Sequence, residues 1–220
     1  MRLILVRHGQ TASNIGRHLD TAEPGPGLTE LGHEQARALP GSLGGQGIEL
    51  VLASTLVRTQ QTAAPLAEHL GLEVGIRRGL REIWAGDLEM RNDEEAIRTY
   101  LSTALGWADG ALHRRMPGSD ETGYDVLGRF DEVVEEVAGT GAEVAALVSH
   151  GAIIRTWTAA RAENITVDFA ARNVVSNTGA VILTGEPGRW QVEYWQELAL
   201  GGHVVEDAAA DGAAAEPVRR

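Results

Sequence analysis

Leu3-Ile4-Leu5-Val6-Arg7-His8-Gly9-Gln10-Thr11-Ala12-Ser13-Asn14 decides how this chain is read. Four apolar residues in a row predict a buried strand, about Arg2–Arg7. The strand then delivers an arginine, a histidine and a glycine in succession. An arginine offers a planar fork of donors suited to phosphate. A histidine can be a nucleophile near neutral pH. A glycine lets backbone approach closely or turn with positive φ. Asn14 adds a neutral donor a few residues on.

Outward from this stretch, strand and helix alternate. Residues 48–53 and 144–148 predict two more buried strands, and residues 72–76 a short one. Thr29 can cap a helix whose apolar face is Leu28, Leu31, Ala36 and Leu39, ended or loosened at Pro40-Gly41. Ser54 or Thr55 caps another through about Leu70, bent at Pro65 and stopped by Gly71. Residues 92–105 have helical composition. Leu127, Phe130, Val134 and Val137 step by three and four, the mark of an amphipathic helix. Residues 152–162 read as a helix after Ser149-His150-Gly151. Residues 180–183 and 191–195 predict two late strands joined by the turn Glu186-Pro187-Gly188. Residues 15–27 and 106–122 read as loops. The chain is therefore expected to be α/β, in three layers (α/β/α), with a mostly parallel central sheet. The domain covers residues 1–200, with a variable helical or lid region at about 84–122. The tail, 201–220, is rich in Ala, Asp and Glu without an apolar period and is expected to be disordered.

Composition narrows the function. With 220 residues, 43% hydrophobic and 23% charged, the chain suits one well-filled domain. No apolar run approaches membrane-spanning length and no signal peptide precedes the first strand. There is no cysteine, hence no disulfide framework. A cytoplasmic location follows as the default. The net charge of −12 argues against nucleic acid or an anionic membrane as partner. It also makes any gathering of arginines more telling.

In open α/β sheets ligands bind beyond the carboxyl ends of the strands. That rule brings together Arg7-His8, the segment 54–58, and Ser149-His150. Two histidines and two arginines at three strand ends make an anion site. Arg58 lies in the first turn of its helix, where a cation opposes the helix dipole and needs an anion to justify it.

Arg7-His8-Gly9-Gln10-Thr11 with Asn14 resembles the signature of the histidine phosphatase superfamily, also called the phosphoglycerate mutase-like family. The segment from Ala53 to Ala63 carrying Arg58, Leu80-Arg81-Glu82, and Val148-Ser149-His150-Gly151 resemble that family's further motifs, in order. The resemblance implies a phosphoglycerate mutase-like fold and a phosphorylated His8. It implies a phosphate clamp from Arg7 and Arg58, a second positive donor from His150, and Glu82 as proton donor to the leaving oxygen. A backbone carbonyl holding the other ring N–H of His8 would fix the required tautomer. A carboxyl beside a phosphate dianion should have a raised pKa. Gln10, Asn14 and Gly151 are expected on the substrate side.

Asp20 stands where many relatives carry a glutamine, and Gln10 where many carry glutamate. Glu121 is a candidate cap for the next helix, and Arg155 and Asn177 fit structural roles. Trp84, Met90, Tyr100, Trp107 and His113 are candidates for a lid. No spacing suits a metal, and no cofactor is expected. The implied activity is hydrolysis of a small phosphomonoester, a sugar phosphate or phosphoglycerate-type metabolite. A phosphoglycerate mutase and a non-enzymatic phosphate-binding scaffold are the alternatives. The chain lacks the lysine-containing segment that the true mutases carry after the position of Glu82. The partner is then a small anionic substrate, and a homodimer is plausible by analogy.

Overall fold

The apolar run at the start forms β1 (Arg2–Arg7), fully buried from Leu3 to Arg7. It is joined by β2 (Leu50–Ala53), β3 (Val74–Ile76), β4 (Val144–Ser149), β5 (Ala180–Glu186) and β6 (Arg189–Trp195) in one sheet of order β3-β2-β4-β1-β5-β6. The first four strands in that order pair in parallel, whereas β5 and β6 run antiparallel. The sheet is thus mixed. Its antiparallel edge is the hairpin foreseen at Glu186-Pro187-Gly188. The computed structural model describes residues 1–218.

Alternation along β1 divides the core. Leu3 and Leu5 face one layer, packed with Leu127, Phe130, Ile153 and Trp157. Ile4 and Val6 face the other, with Leu39, Leu66 and Ala146. Helices α2 (Glu30–Leu43) and α3 (Val57–Leu70) cover the second face. Helices α4 (Glu94–Ala108), α5 (Gly123–Gly139) and α6 (Gly151–Arg161) cover the first, α4 packing on α6. A one-turn helix α1 (Ala12–Ile15) follows β1, and α7 (Val167–Arg172) precedes β5. Neither was foreseen.

Helix α2 does not end at Pro40 but runs on to Leu43. Proline removes one hydrogen bond there, yet Leu39 and Leu43, one turn apart, are both buried. Core packing outweighs the lost bond. Helix α3 begins at Val57, later than expected, because the Ser54 hydroxyl accepts the Leu56 N–H and points into the site. Gly71, at φ 69°, closes it as foreseen. Thr122, not Glu121, caps α5, and Glu121 pairs with Arg81.

The largest departure is the tail. Residues expected to be disordered fold back over the carboxyl ends of the strands in two single turns, Ala208–Ala210 and Ala213–Ala215. Arg155 donates to the carbonyls of Ala214 and Glu216, Gln35 to that of Val205, and the Val218 N–H to Ala171. Distant side chains hold this segment, so its own sequence shows no period. Residues 219–220 lie outside the described residues. No helix among the described residues is long and apolar enough to cross a membrane.

Candidate active site

Register builds the site. Arg7 pairs with Ser149 across the parallel β1–β4 ladder, so the next residues, His8 and His150, leave the sheet side by side. Their ring centroids are 5.2 Å apart at an interplanar angle of 63°. Ala53 pairs with Val148, which brings Ser54 to the same edge. The Ser54 hydroxyl meets Nε2 of His150 at 2.8 Å.

His8 is anchored on every backbone side. Its N–H donates to Ser149 O at 3.0 Å, and its carbonyl accepts from the Asn177 amide at 3.0 Å. Its Nδ1 lies 2.7 Å from the Gly9 carbonyl, which assigns the ring proton there. Nε2, the other nitrogen, has no protein partner and faces the cavity. Gly9 permits this turn, since a Cβ there would sit 2.7 Å from the Gly32 carbonyl. Burial, then Arg58 and Arg7, hold His8 well below the usual imidazole range. It is neutral at pH 7 and therefore able to attack.

Arg7 is fully buried. It donates through Nη1 to Val175 O at 2.8 Å and through Nη2 to the Asp211 carbonyl. The Asp211 carboxylate, 3.9 Å from Nη1, itself accepts the Asn177 N–H at 2.7 Å. Arg58 gives Nη2 to the Asp20 carbonyl at 2.9 Å. Burial lowers both guanidinium pKa values from their ordinary level.

Arg7 Nε, Arg58 Nε and Nη1, and His150 Nδ1 are buried with no hydrogen-bond partner among the described residues. Buried donors are nearly always satisfied. Three of these nitrogens belong to the guanidiniums that line the cavity with His8, and the fourth to the His150 ring, 5.2 Å from that of His8; together they offer a cradle for an oxyanion. His150 is held well below its ordinary value by burial and by Arg58. It is neutral while the site holds no anion.

Glu82 is buried under the start of α6. Its Oε1 accepts from the Ile83 and Ile153 N–H groups at 2.9 and 3.0 Å, and Oε2 from Ala152 at 3.1 Å. Arg129 of α5 fixes the loop by donating to the carbonyls of Gly79, Arg81 and Glu82. The Glu82 carboxyl is raised from its usual value. Burial is the cause, against the opposing pull of those backbone donors and of Arg58. Desolvation alone produces this shift in the free site, before any phosphate dianion adds its own repulsion.

One cavity is lined by Arg7, His8, Asn14, Arg58 and Glu82, together with Ser13, His18, Asp20, Thr21, Tyr100, Ala213 and Ala214. Gln10 is not among the lining residues. It is buried, takes the Thr29 hydroxyl at 2.9 Å and gives its amide to Asp207 at 3.0 Å, so it holds the tail. Gly151 sits beside Arg7, where a Cβ would lie 3.1 Å from Nε. It makes room for the guanidinium. Of the lid candidates, only Tyr100 lines the cavity; Trp84 and Met90 are exposed, and Trp107 is core. Ser13, His18, Thr21, Ala213 and Ala214 escaped sequence reading as site residues, and Asp20, where the sequence made substrate contact doubtful, lines the cavity. The tail carried no signal at all; the clue at Asp20 was its departure from the resembling pattern. Among the described residues no group of three or more His, Asp or Glu could hold a metal.

A family model described as histidine phosphatase superfamily (branch 1) matches residues 3–198. Over 212 residues the chain is 35% identical to PE-PGRS family protein PE_PGRS11 of Mycobacterium tuberculosis; the match covers 89% of this chain but only 36% of that one. Over 219 residues it is 30% identical to a glucosyl-3-phosphoglycerate phosphatase of M. tuberculosis, covering 90% of this chain and 95% of the other. A solved structure of a mycobacterial glucosyl-3-phosphoglycerate phosphatase complexed with VO3 superimposes with a TM-score of 0.74 at 30% identity, covering 89% of this chain and 98% of that one.

Proposed function

The chain belongs to the histidine phosphatase superfamily as a phosphomonoester hydrolase, and we propose that it hydrolyses a small sugar phosphate or phosphoglycerate-type ester through a phosphorylated His8. The observation that carries this is the cradle: four unsatisfied buried nitrogens on Arg7, Arg58 and His150, in the cluster that holds His8.

In the first half-reaction the Nε2 lone pair attacks phosphorus and the ester P–O bond breaks. Arg7, Arg58 and the Nδ1 side of His150 receive the charge on the phosphoryl oxygens. A bound dianion favours protonation of His150, so the site gains its third positive donor as substrate arrives. Glu82, kept protonated more readily by burial, gives its proton to the leaving alkoxide. In the second half the Glu82 carboxylate takes a proton from water, whose oxygen attacks phosphorus as the P–N bond breaks. Inorganic phosphate and free His8 result.

The remaining cavity, about 30 Å³, is far below the roughly 300 Å³ at which small-molecule sites begin. The wall of Ala213 and Ala214 must therefore yield when an ester with its alcohol enters.

The test is an alkaline-quenched reaction followed by mass spectrometry of the peptide bearing His8. One phosphoryl group on His8, chased off by time, is the expected result. Phosphate release with no phosphoryl on His8 would remove it from the mechanism. Interconversion of 3- and 2-phosphoglycerate faster than phosphate release would make the protein a mutase.

A further inference from the structure

The cavity lining combines two guanidiniums with an acidic residue. The phosphoryl end holds Arg7 and Arg58, and no other arginine among the described residues lines the cavity; the chain contains no lysine. Away from them the lining is mostly neutral and polar, with Ser13, Asn14, His18 and Thr21, and carries the acidic Asp20. Asp20 is fixed at both levels. Its backbone carbonyl takes the Arg58 guanidinium, and its Oδ2 takes the Ser13 hydroxyl at 2.5 Å. The tail adds the carboxylate of Asp211, 3.9 Å from the Arg7 guanidinium. Arg17, between the lining residues Asn14 and His18, is occupied by Glu216 at 2.5 Å. Among the described residues, a second anionic group on the substrate would face the Asp20 carboxylate with no further guanidinium lining the cavity to meet it.

We propose that the substrate's alcohol portion is an uncharged polyol, and that Asp20 is a specificity-determining residue which accepts its hydroxyls and turns away esters bearing a neighbouring carboxylate. This rests on the phosphatase reading and chooses between the two substrate classes it admits. An acceptor at a fixed position favours a hydroxyl donor, and like-charge juxtaposition in a partly buried site penalises a carboxylate. The same geometry departs from what the name glucosyl-3-phosphoglycerate phosphatase says of the relative, whose substrate carries a carboxylate.

The experiment compares kcat/KM for a matched pair, sn-glycerol 3-phosphate and 3-phosphoglycerate, which differ by a hydroxymethyl against a carboxylate. p-Nitrophenyl phosphate reports the chemistry separately. The full-length chain should prefer glycerol phosphate by about tenfold, the scale of one unfavourable charge contact. Asp20→Asn, which keeps the shape and the Ser13 contact, should narrow that ratio severalfold, chiefly by lowering KM for 3-phosphoglycerate. Equal or faster hydrolysis of 3-phosphoglycerate by the native chain, or a ratio unmoved by Asp20→Asn, overturns the proposal. Cleavage of p-nitrophenyl phosphate with neither member of the pair cleaved overturns it as well, and leaves the phosphatase reading standing. Failure on all three overturns the phosphatase reading and the proposal with it.

Discussion

At the scale of single residues, the site depends on what each side chain is denied. His8 is denied a proton by burial and two guanidiniums, and Glu82 is denied solvent. His8→Ala should lower phosphate release by at least about a thousandfold, as expected when a covalent nucleophile is lost. A circular dichroism spectrum and melting curve like those of the native chain would separate this from misfolding. Glu82→Gln should cost about a hundredfold or more on alkyl phosphates, the range of general acid catalysis. The loss on p-nitrophenyl phosphate, whose leaving group hardly needs a proton, should be much smaller. An equal loss on both would remove Glu82 from the acid role. Stability also carries a pH signature. His8 and His150 have folded pKa values below their unfolded ones, so the unfolded chain binds more protons below about pH 6.5. Their contribution is complete above that value and is lost progressively as pH falls from there through their folded values. Glu82 acts oppositely: its raised carboxyl costs stability at neutral pH, a cost relieved as pH falls through its folded value. Melting temperatures between about pH 5 and about pH 7.5 should fall towards acid, and less steeply in a His8→Gln, His150→Gln double variant.

At the scale of elements, two contacts join the scaffold to the chemistry. The first is between α2 and the loop after β1. A Cβ on Gly32 would lie 2.2 Å from the Gln10 carbonyl, so Gly32→Ala must push the two apart. We expect about 1–3 kcal/mol of destabilisation, the usual cost of overpacking, measured by urea unfolding, with a fall in kcat as His8 shifts. The second is the tail. Its fastening by Arg17 and Glu216 is half-exposed and so weak in energy. Glu216→Ala should loosen it and raise kcat/KM two- to fivefold on bulky sugar phosphates, roughly the worth of one surface pair, with little change on p-nitrophenyl phosphate. Slower turnover of the bulky esters in that variant would mean that the tail helps to bind them.

At the scale of the whole molecule, the sheet's topology gathers strand ends 7, 53 and 149 to one edge and sets helices over both faces. An anion settling there satisfies donors contributed by β1, α3 and the start of α6, so it braces the fold as a unit. Saturating inorganic phosphate should add about 2.7 kcal/mol at a hundred times its Kd. For a chain of this size that is a rise in melting temperature of roughly 5–10 °C. A scanning fluorimetry series should show it, and Arg58→Ala should abolish most of it.

What the chain determines locally was legible. Arg7, His8, Ser54, Arg58, Ser149 and His150 stand at the ends of apolar runs. A parallel sheet sends such ends to one edge, so an alternation of strand and helix was enough to bring them together. The stop at Gly71 and the hairpin at Glu186-Pro187-Gly188 followed from backbone chemistry alone. What tertiary structure decided lay in contacts that leave no local pattern. Leu43 carries α2 past Pro40 because the core receives it. Gln10, expected on the substrate, was turned to Asp207 by a tail 197 residues away. The Asp211 carbonyl reaches Arg7 across 204 residues. A segment of Ala, Asp and Gly has no apolar period to announce a fold. Its place is fixed by buried side chains elsewhere that cap its carbonyls, and such hydrogen bonds exist only once those side chains have been assembled.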